Sequence, residues 1–205
     1  MRRGLLLVAV LWPWWAFNQS FAEEMQRCAE EFHTRFGQSS SQGVLDVYKA
    51  LGTCVEGHRL PDFEVTDLQG ITYKPADWSG KVVWINFWFI ACPPCQAELP
   101  MIEALYQQYK DREDFVLITF AVDKPGPLVN FAEKKNLHYP IVAESESFIQ
   151  DTLHMTFDFF PTNIFLDKEG KIIKYKPGGP IDAAGIQRVG EEFKTIIEAE
   201  LKDQP

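Results

Sequence analysis

Apolar positions along this chain change their spacing several times, and each change predicts an element. The densest run beyond the N-terminus, Val82 to Phe89, contains only one polar residue, Asn86, and reads as a central strand buried on both faces. Helical spacing follows over Gln96–Lys110, then a strand over Phe115–Val122, a helix over Pro127–Asn136 and a strand over Tyr139–Ala143. Alternating strands and helices predict a parallel core joined by crossover helices. A further short helix is expected over Ser147–Met155. Two hairpins flank this unit. One pairs Phe63–Thr66 with Ile71–Tyr73 across Asp67-Leu68-Gln69-Gly70; the other pairs Asn163–Leu166 with Lys171–Tyr175 across Asp167-Lys168-Glu169-Gly170. An amphipathic helix over Ile181–Leu201 closes the pattern.

Upstream, Met25, Cys28, Ala29, Phe32 and Phe36 recur at helical spacing, as do Val44, Val47, Tyr48 and Leu51, with the polar loop Gly37–Gly43 between them. The reading is a helical hairpin over residues 23–60 with one cysteine on each arm, Cys28 and Cys54. Residues 1–22 differ again: Arg2 and Arg3, an apolar stretch from Gly4 to Phe17, then Ser20-Phe21-Ala22 resemble a secretory signal cut after Ala22. An uncleaved anchor is the alternative, disfavoured because the stretch is shorter than the ~20 residues that span a bilayer and Pro13 interrupts it.

Charge narrows the function. The 205 residues carry a formal net charge of −9, and loss of Arg2 and Arg3 with the leader would bring it to −11. Such a chain lacks the basic footprint that nucleic acid requires, so no nucleic-acid partner is expected. Export to an oxidising, periplasmic or otherwise extracytoplasmic compartment suits its four cysteines. For Cys28 and Cys54 a structural disulfide is preferred over two buried thiols or a second redox pair, because neither has a helix-start context.

Cys92-Pro93-Pro94-Cys95 does have that context, since it lies where the central strand stops and a helix begins. Two sulfurs at this spacing can bridge, and the positive end of the helix favours the Cys92 thiolate, the species that attacks disulfides. Pro93 and Pro94 offer no N–H to that thiolate, so it should be only modestly stabilised. A mild reductant or intermediate couple is expected, because strong oxidants owe their potential to a stabilised reduced form.

The order of elements, with Gly80-Lys81-Val82-Val83, Asn86-Phe87-Trp88, Cys92-Pro93-Pro94-Cys95, Glu98, Pro100, Pro161-Thr162 and Asp167–Gly170, resembles the TlpA/ResA-like thiol-disulfide oxidoreductases of the thioredoxin superfamily. The resemblance covers about Pro61 to Leu201 and implies an α/β, three-layer thioredoxin-like fold over 61–205 with a central mixed sheet, an N-terminal β-hairpin and the helical hairpin as an addition. Matched position by position, Cys92 is the attacking, partly exposed cysteine and Cys95 the buried resolving one. Glu98, three residues on and on the same helix face, would take the Cys95 proton; a solvated surface glutamate is the alternative. Asn86 stands where thioredoxin has a buried aspartate, and Pro100 where a proline kinks the helix. Pro161 would be a cis-proline presenting substrate, with Phe159 and Phe160 as apolar contacts or core residues. Ala91 departs from the family's tryptophan, which removes part of the substrate platform.

The resemblance also implies a disulfide-containing protein substrate, re-reduction by a membrane thiol-reducing relay protein, and no cofactor. Apocytochrome c maturation, repair of misbridged proteins and copper-enzyme assembly all use this pattern. Trp84 and Trp88 are expected in the core. His33, His58, His138 and His154 are scattered and take no role. Two alternatives compete. A copper chaperone would use Cys92, Cys95 and a distant histidine, but such chaperones space their cysteines more widely; no metal site is expected. A thiol peroxidase is suggested by Pro61-Asp62-Phe63, yet the position three before Cys92 is Phe89, not threonine or serine.

Overall fold

The computed structural model describes residues 23–28, 30, 31, 34, 53–155 and 160–202. The presumed leader, the Gly37–Gly43 loop, the arm carrying Val44 to Leu51, and His33 and Phe159 lie outside them.

A five-stranded mixed sheet forms the centre, in the order β5-β4-β3-β6-β7. Strand β3 (Val82–Trp88) is buried at every position and pairs in parallel with β4 (Phe115–Ala121), which pairs in parallel with β5 (Ile141–Val142). On the other side β3 meets β6 (Thr162–Leu166) antiparallel, and β6 meets β7 (Ile172–Pro177) antiparallel. A small hairpin of β1 (Val65–Thr66) and β2 (Thr72–Tyr73) stands apart. Its turn is held by the buried Asp67, whose Oδ1 accepts from the Gln69 and Ile71 N–H groups at 2.9 Å.

Because side chains alternate along a strand, β3 feeds two cores. Val83, Ile85 and Phe87 face a cluster with Met25, Cys28, Val55, Trp78 and Ile149. Val82, Trp84 and Trp88 face the other, built with α1 (Pro93–Tyr109), Leu128 of α2 (Pro125–Lys135) and Val189, Phe193 and Ile197 of α3 (Ala183–Lys202). The sheet is thus the middle of three layers. Trp84 and Trp88 are fully buried core residues, each with its indole N–H bonded, to Asn163 and Thr119 respectively.

Several boundaries differ from the sequence reading for local reasons. Helix α1 begins at Pro93, not Gln96, and α2 at Pro125, not Pro127, because a proline lacking N–H loses nothing in the first turn and its φ already suits the helix. Helix α2 stops where Asn136 turns left-handed (φ 55°). Ser147–Met155 contains one π-helical turn at Phe148–Thr152. Strand β5 is only two residues long, because Pro140 has no N–H for the ladder.

Candidate active site: a dithiol over a buried polar cluster

Strand β3 and helix α1 together create the centre. The chain leaves β3 at Trp88, and the Asp123 carboxylate at the end of β4 accepts the Ile90 N–H at 2.7 Å, which ties down the connecting loop. Gln96 returns from α1 to donate to the Ile90 carbonyl at 2.6 Å. Cys92 is then the N-cap of α1. Since Pro93 and Pro94 have no N–H, the first helical donor is that of Cys95, and it points at the Cys92 sulfur at 3.2 Å. The helix therefore presents one N–H to the sulfur that would carry the charge.

Cys92 and Cys95 are bonded to each other (S–S 1.97 Å, Cα–Cα 5.2 Å). Cys92 is 2% exposed and Cys95 1%, which corrects the expectation of a partly exposed Cys92 in this closed form. Pro93 and Ala91 remain exposed beside Cys92.

Glu98 lies on the same face of α1 and is wholly buried, so the solvated-glutamate alternative does not hold. Burial pushes its carboxyl up to about 7, against smaller opposing effects from the Asn163 hydrogen bond and the Lys176 charge. Its Oε2 accepts from Asn163 Nδ2 at 3.2 Å. Its Oε1 has no partner among the described residues. Gly179 closes over that oxygen: a Cβ there would sit 2.5 Å from Glu98 Oε1 and 2.9 Å from Pro161 Cγ, so only glycine fits.

The Phe160–Pro161 peptide bond is cis, and Pro161 is buried at the start of β6. Phe160 is half-buried and meets Phe89 edge-on, with ring centroids 5.5 Å apart. That contact brings an apolar pair to the loop that carries Ala91. Phe89 has no hydroxyl to offer a peroxide at the position where a thiol peroxidase needs one.

Asn163, Asp123 and Gly179 of this centre escaped the sequence reading. Asn163 stands opposite Asn86 in the β3–β6 register, and Asp123 lies 33 positions from the amide it binds. A polar residue following Pro161-Thr162 in an otherwise apolar strand was the available signal for Asn163. The remaining candidates lie elsewhere. His138 is committed to Glu103, Nδ1 to Oε1 at 2.7 Å. Cys28 and Cys54 are bonded (S–S 1.91 Å, Cα–Cα 6.0 Å).

The profile of the AhpC/TSA family matches residues 57–175, more than half of the chain. The chain belongs to the AhpC/TSA family. Within the thioredoxin superfamily it groups with the thiol-disulfide oxidoreductases. It is 30% identical to thiol-disulfide oxidoreductase ResA of Bacillus anthracis over 146 residues, covering 71% of this chain and 76% of that one. ResA of Bacillus cereus strain ATCC 10987 is 32% identical over the same length and shares. Among solved structures, the thioredoxin domain of a thiol-disulfide oxidoreductase from Bacteroides vulgatus superimposes with a TM-score of 0.54 at 24% identity, over 67% of this chain and 96% of that domain, which shows the fold. For a thiol-disulfide oxidoreductase of this family, the Cys92–Cys95 pair is the one dithiol placed at a helix start among the described residues.

Proposed function

We propose that this member of the family is an exported, mild reductant of protein disulfides. The observation that carries the reading is the closed Cys92–Cys95 pair at the start of α1, with the wholly buried Glu98 one turn further along the same helix. In the reduced protein the Cys92 thiolate attacks one sulfur of a substrate disulfide, forming a mixed disulfide and expelling the other sulfur as a thiolate. Cys95 then loses its proton to Glu98, and its thiolate attacks Cys92 Sγ. The mixed bond breaks, the two substrate thiolates take up the proton held by Glu98 and one from solvent so that the substrate leaves as a dithiol, and the protein holds the disulfide seen here. Two electrons have passed to the substrate.

Glu98 suits its part because a carboxyl near 7 takes and returns a proton close to neutrality. Pro161 and Phe160 would line the substrate, with the backbone next to Pro161 pairing with an extended segment. Pro93 and Pro94 keep the couple mild by leaving the thiolate with the single Cys95 N–H. Cys28–Cys54 serves as a structural bond of the 23–60 extension, and 1–22 as a leader that exports the 61–205 domain to the periplasm. A membrane thiol-reducing relay protein would restore the dithiol. No helix among the described residues is long and apolar enough to cross a membrane.

Trapping tests the reading. Cys95→Ala should leave substrate proteins covalently held on Cys92, released by reductant and identifiable by mass spectrometry. A well-expressed variant that captures nothing would overturn it.

A further inference from the structure

We propose that Asn163 is the positioning residue that holds Glu98 for proton exchange, with its amide locked from behind by Trp84 and Asn86. This rests on the reading of Glu98 as the acceptor of the Cys95 proton and extends it to the residues that make a buried carboxyl usable.

Asn163 is wholly buried on β6, on the same face of the sheet as Trp84 and Asn86 of β3. Its Oδ1 receives two donors, Trp84 Nε1 at 2.9 Å and Asn86 Nδ2 at 3.0 Å. An indole nitrogen can only donate, so the atom facing Trp84 must be the amide oxygen. The amide's orientation is thereby determined, and its NH2 has to point the other way. There it meets Glu98 Oε2 at 3.2 Å. Glu98 is left with one oxygen held and the other, Oε1, without a partner among the described residues, against Gly179 and Pro161.

The consequence for chemistry follows from burial. A carboxyl removed from water and given no donor stays protonated, and a protonated Glu98 cannot accept from Cys95. The Asn163 donor favours the ionised form, opposing desolvation, and leaves Oε1 as the basic atom. The charged and titratable groups around it are few. Lys176 of β7 acts on Glu98 and is itself paired with Glu192 of α3 at 2.9 Å. Cys92 and Cys95 of α1 do not titrate while bonded. The oxidised protein therefore allows Glu98 to be followed without interference from the thiols.

The test uses carbon-13 detection of the Glu98 carboxyl in the oxidised full chain. Asn163→Asp keeps the shape, still accepts from Trp84 and Asn86, and turns an acidic oxygen toward Glu98. Its Glu98 titration should rise by about one pH unit or more. In single-turnover assays of the reduced protein, substrate release should slow about tenfold at pH 7, with its pH profile moved upward. Attack of Cys92 on a small dye disulfide should stay within about twofold, a split that a general loss of structure would not produce. Trp84→Phe keeps the ring and removes the locking donor, so it should shift Glu98 in the same direction by less. A Glu98 titration unmoved in Asn163→Asp overturns the proposal. If that variant does not fold, Trp84→Phe decides in the same way. Failure of the underlying reading looks different: Glu98→Gln would then release substrate at the wild-type rate, whatever Asn163 does to the titration.

Discussion

Cys92 and Cys95 stand three positions apart at the start of α1, whereas Cys28 and Cys54 are separated by 26 and join the N-terminal helical segment to the chain ahead of the sheet. Both pairs are closed, yet their surroundings prepare them for different work. The Cys92 sulfur receives the first free N–H of a 17-residue helix and has a buried acid one turn beyond its partner. Cys28 is buried in an apolar cluster with Met25 and Val55, as deeply as Cys92 is in its own, so burial alone does not separate the pairs. Half-buried Cys54 has Arg27 Nη2 at 3.3 Å, but Arg27 is clasped by Glu24, whose carboxylate also lies 4.0 Å from the sulfur. Loop closure does separate them: constraining the unfolded chain stabilises by about 3.5 kcal/mol for the long loop and about 2 for the short one. On the proposed function, one bond holds and the other exchanges.

The sharpest way to break this contrast is to remove each pair in turn. Cys92→Ser should lower the rate of protein-disulfide reduction by about a thousandfold or more, since the proposed mechanism makes its sulfur the attacking one. Cys28→Ala with Cys54→Ala should leave that rate within about threefold. A double variant as inactive as Cys92→Ser would erase the distinction. The same double variant should lose on the order of 3 kcal/mol in urea unfolding, read as a lower midpoint. A midpoint unchanged from wild type would remove the structural role of the long-range bond.

The contrast was partly legible beforehand. The apolar run of β3, ending at Cys92-Pro93-Pro94-Cys95 before a helical pattern, placed the dithiol from adjacent residues alone. Local rules also located both Asp–Gly hairpins. What adjacent residues could not reveal is the polar cluster around Glu98, one turn along α1 from the dithiol. Asn86 and Asn163 are 77 positions apart and meet only through antiparallel register, and Gly179 reaches Glu98 from beyond β7. The burial of Cys92 was equally out of reach, because it is set by packing against residues distant in sequence. Even the cis bond at Pro161 was expected only through family resemblance, since nothing in a Phe-Pro step distinguishes it from the common trans form.

Glu98 sharpens the comparison on the stability side. Its carboxyl titrates near 7 in the folded protein against an ordinary 4.5. Between those values the folded state binds the proton that the unfolded state has released, so stability falls as pH rises from about 4.5 to about 7. The loss is complete above 7 and is on the order of 3 kcal/mol. Oxidised Glu98→Gln should escape it, matching wild type near pH 4 and exceeding it in thermal stability at pH 8. Parallel stability curves for the two proteins across that range would mean that Glu98 is not held out of water. The Cys28–Cys54 region holds no comparably buried acid among the described residues, so no such difference is expected from changes there.

The smallest expected effect separates the two bonds by their reduced forms. Pro93 and Pro94 leave Cys95 N–H as the only first-turn donor directed at Cys92. Replacing Pro94 with alanine restores a second N–H near that sulfur, in a position where the helix already has suitable geometry. A thiolate gaining one hydrogen bond at a helix N-terminus should ionise about one unit lower, worth about 1.4 kcal/mol. The reduced form is then favoured, and the potential should rise by about 30 mV, since that interval corresponds to 1.4 kcal/mol for a two-electron couple. Thiolate absorbance against pH gives the first quantity and equilibration with a glutathione buffer gives the second. A wild-type Cys92 that already ionises below about 5 would place the protein among strong oxidants, and the prolines would then have no moderating part to play.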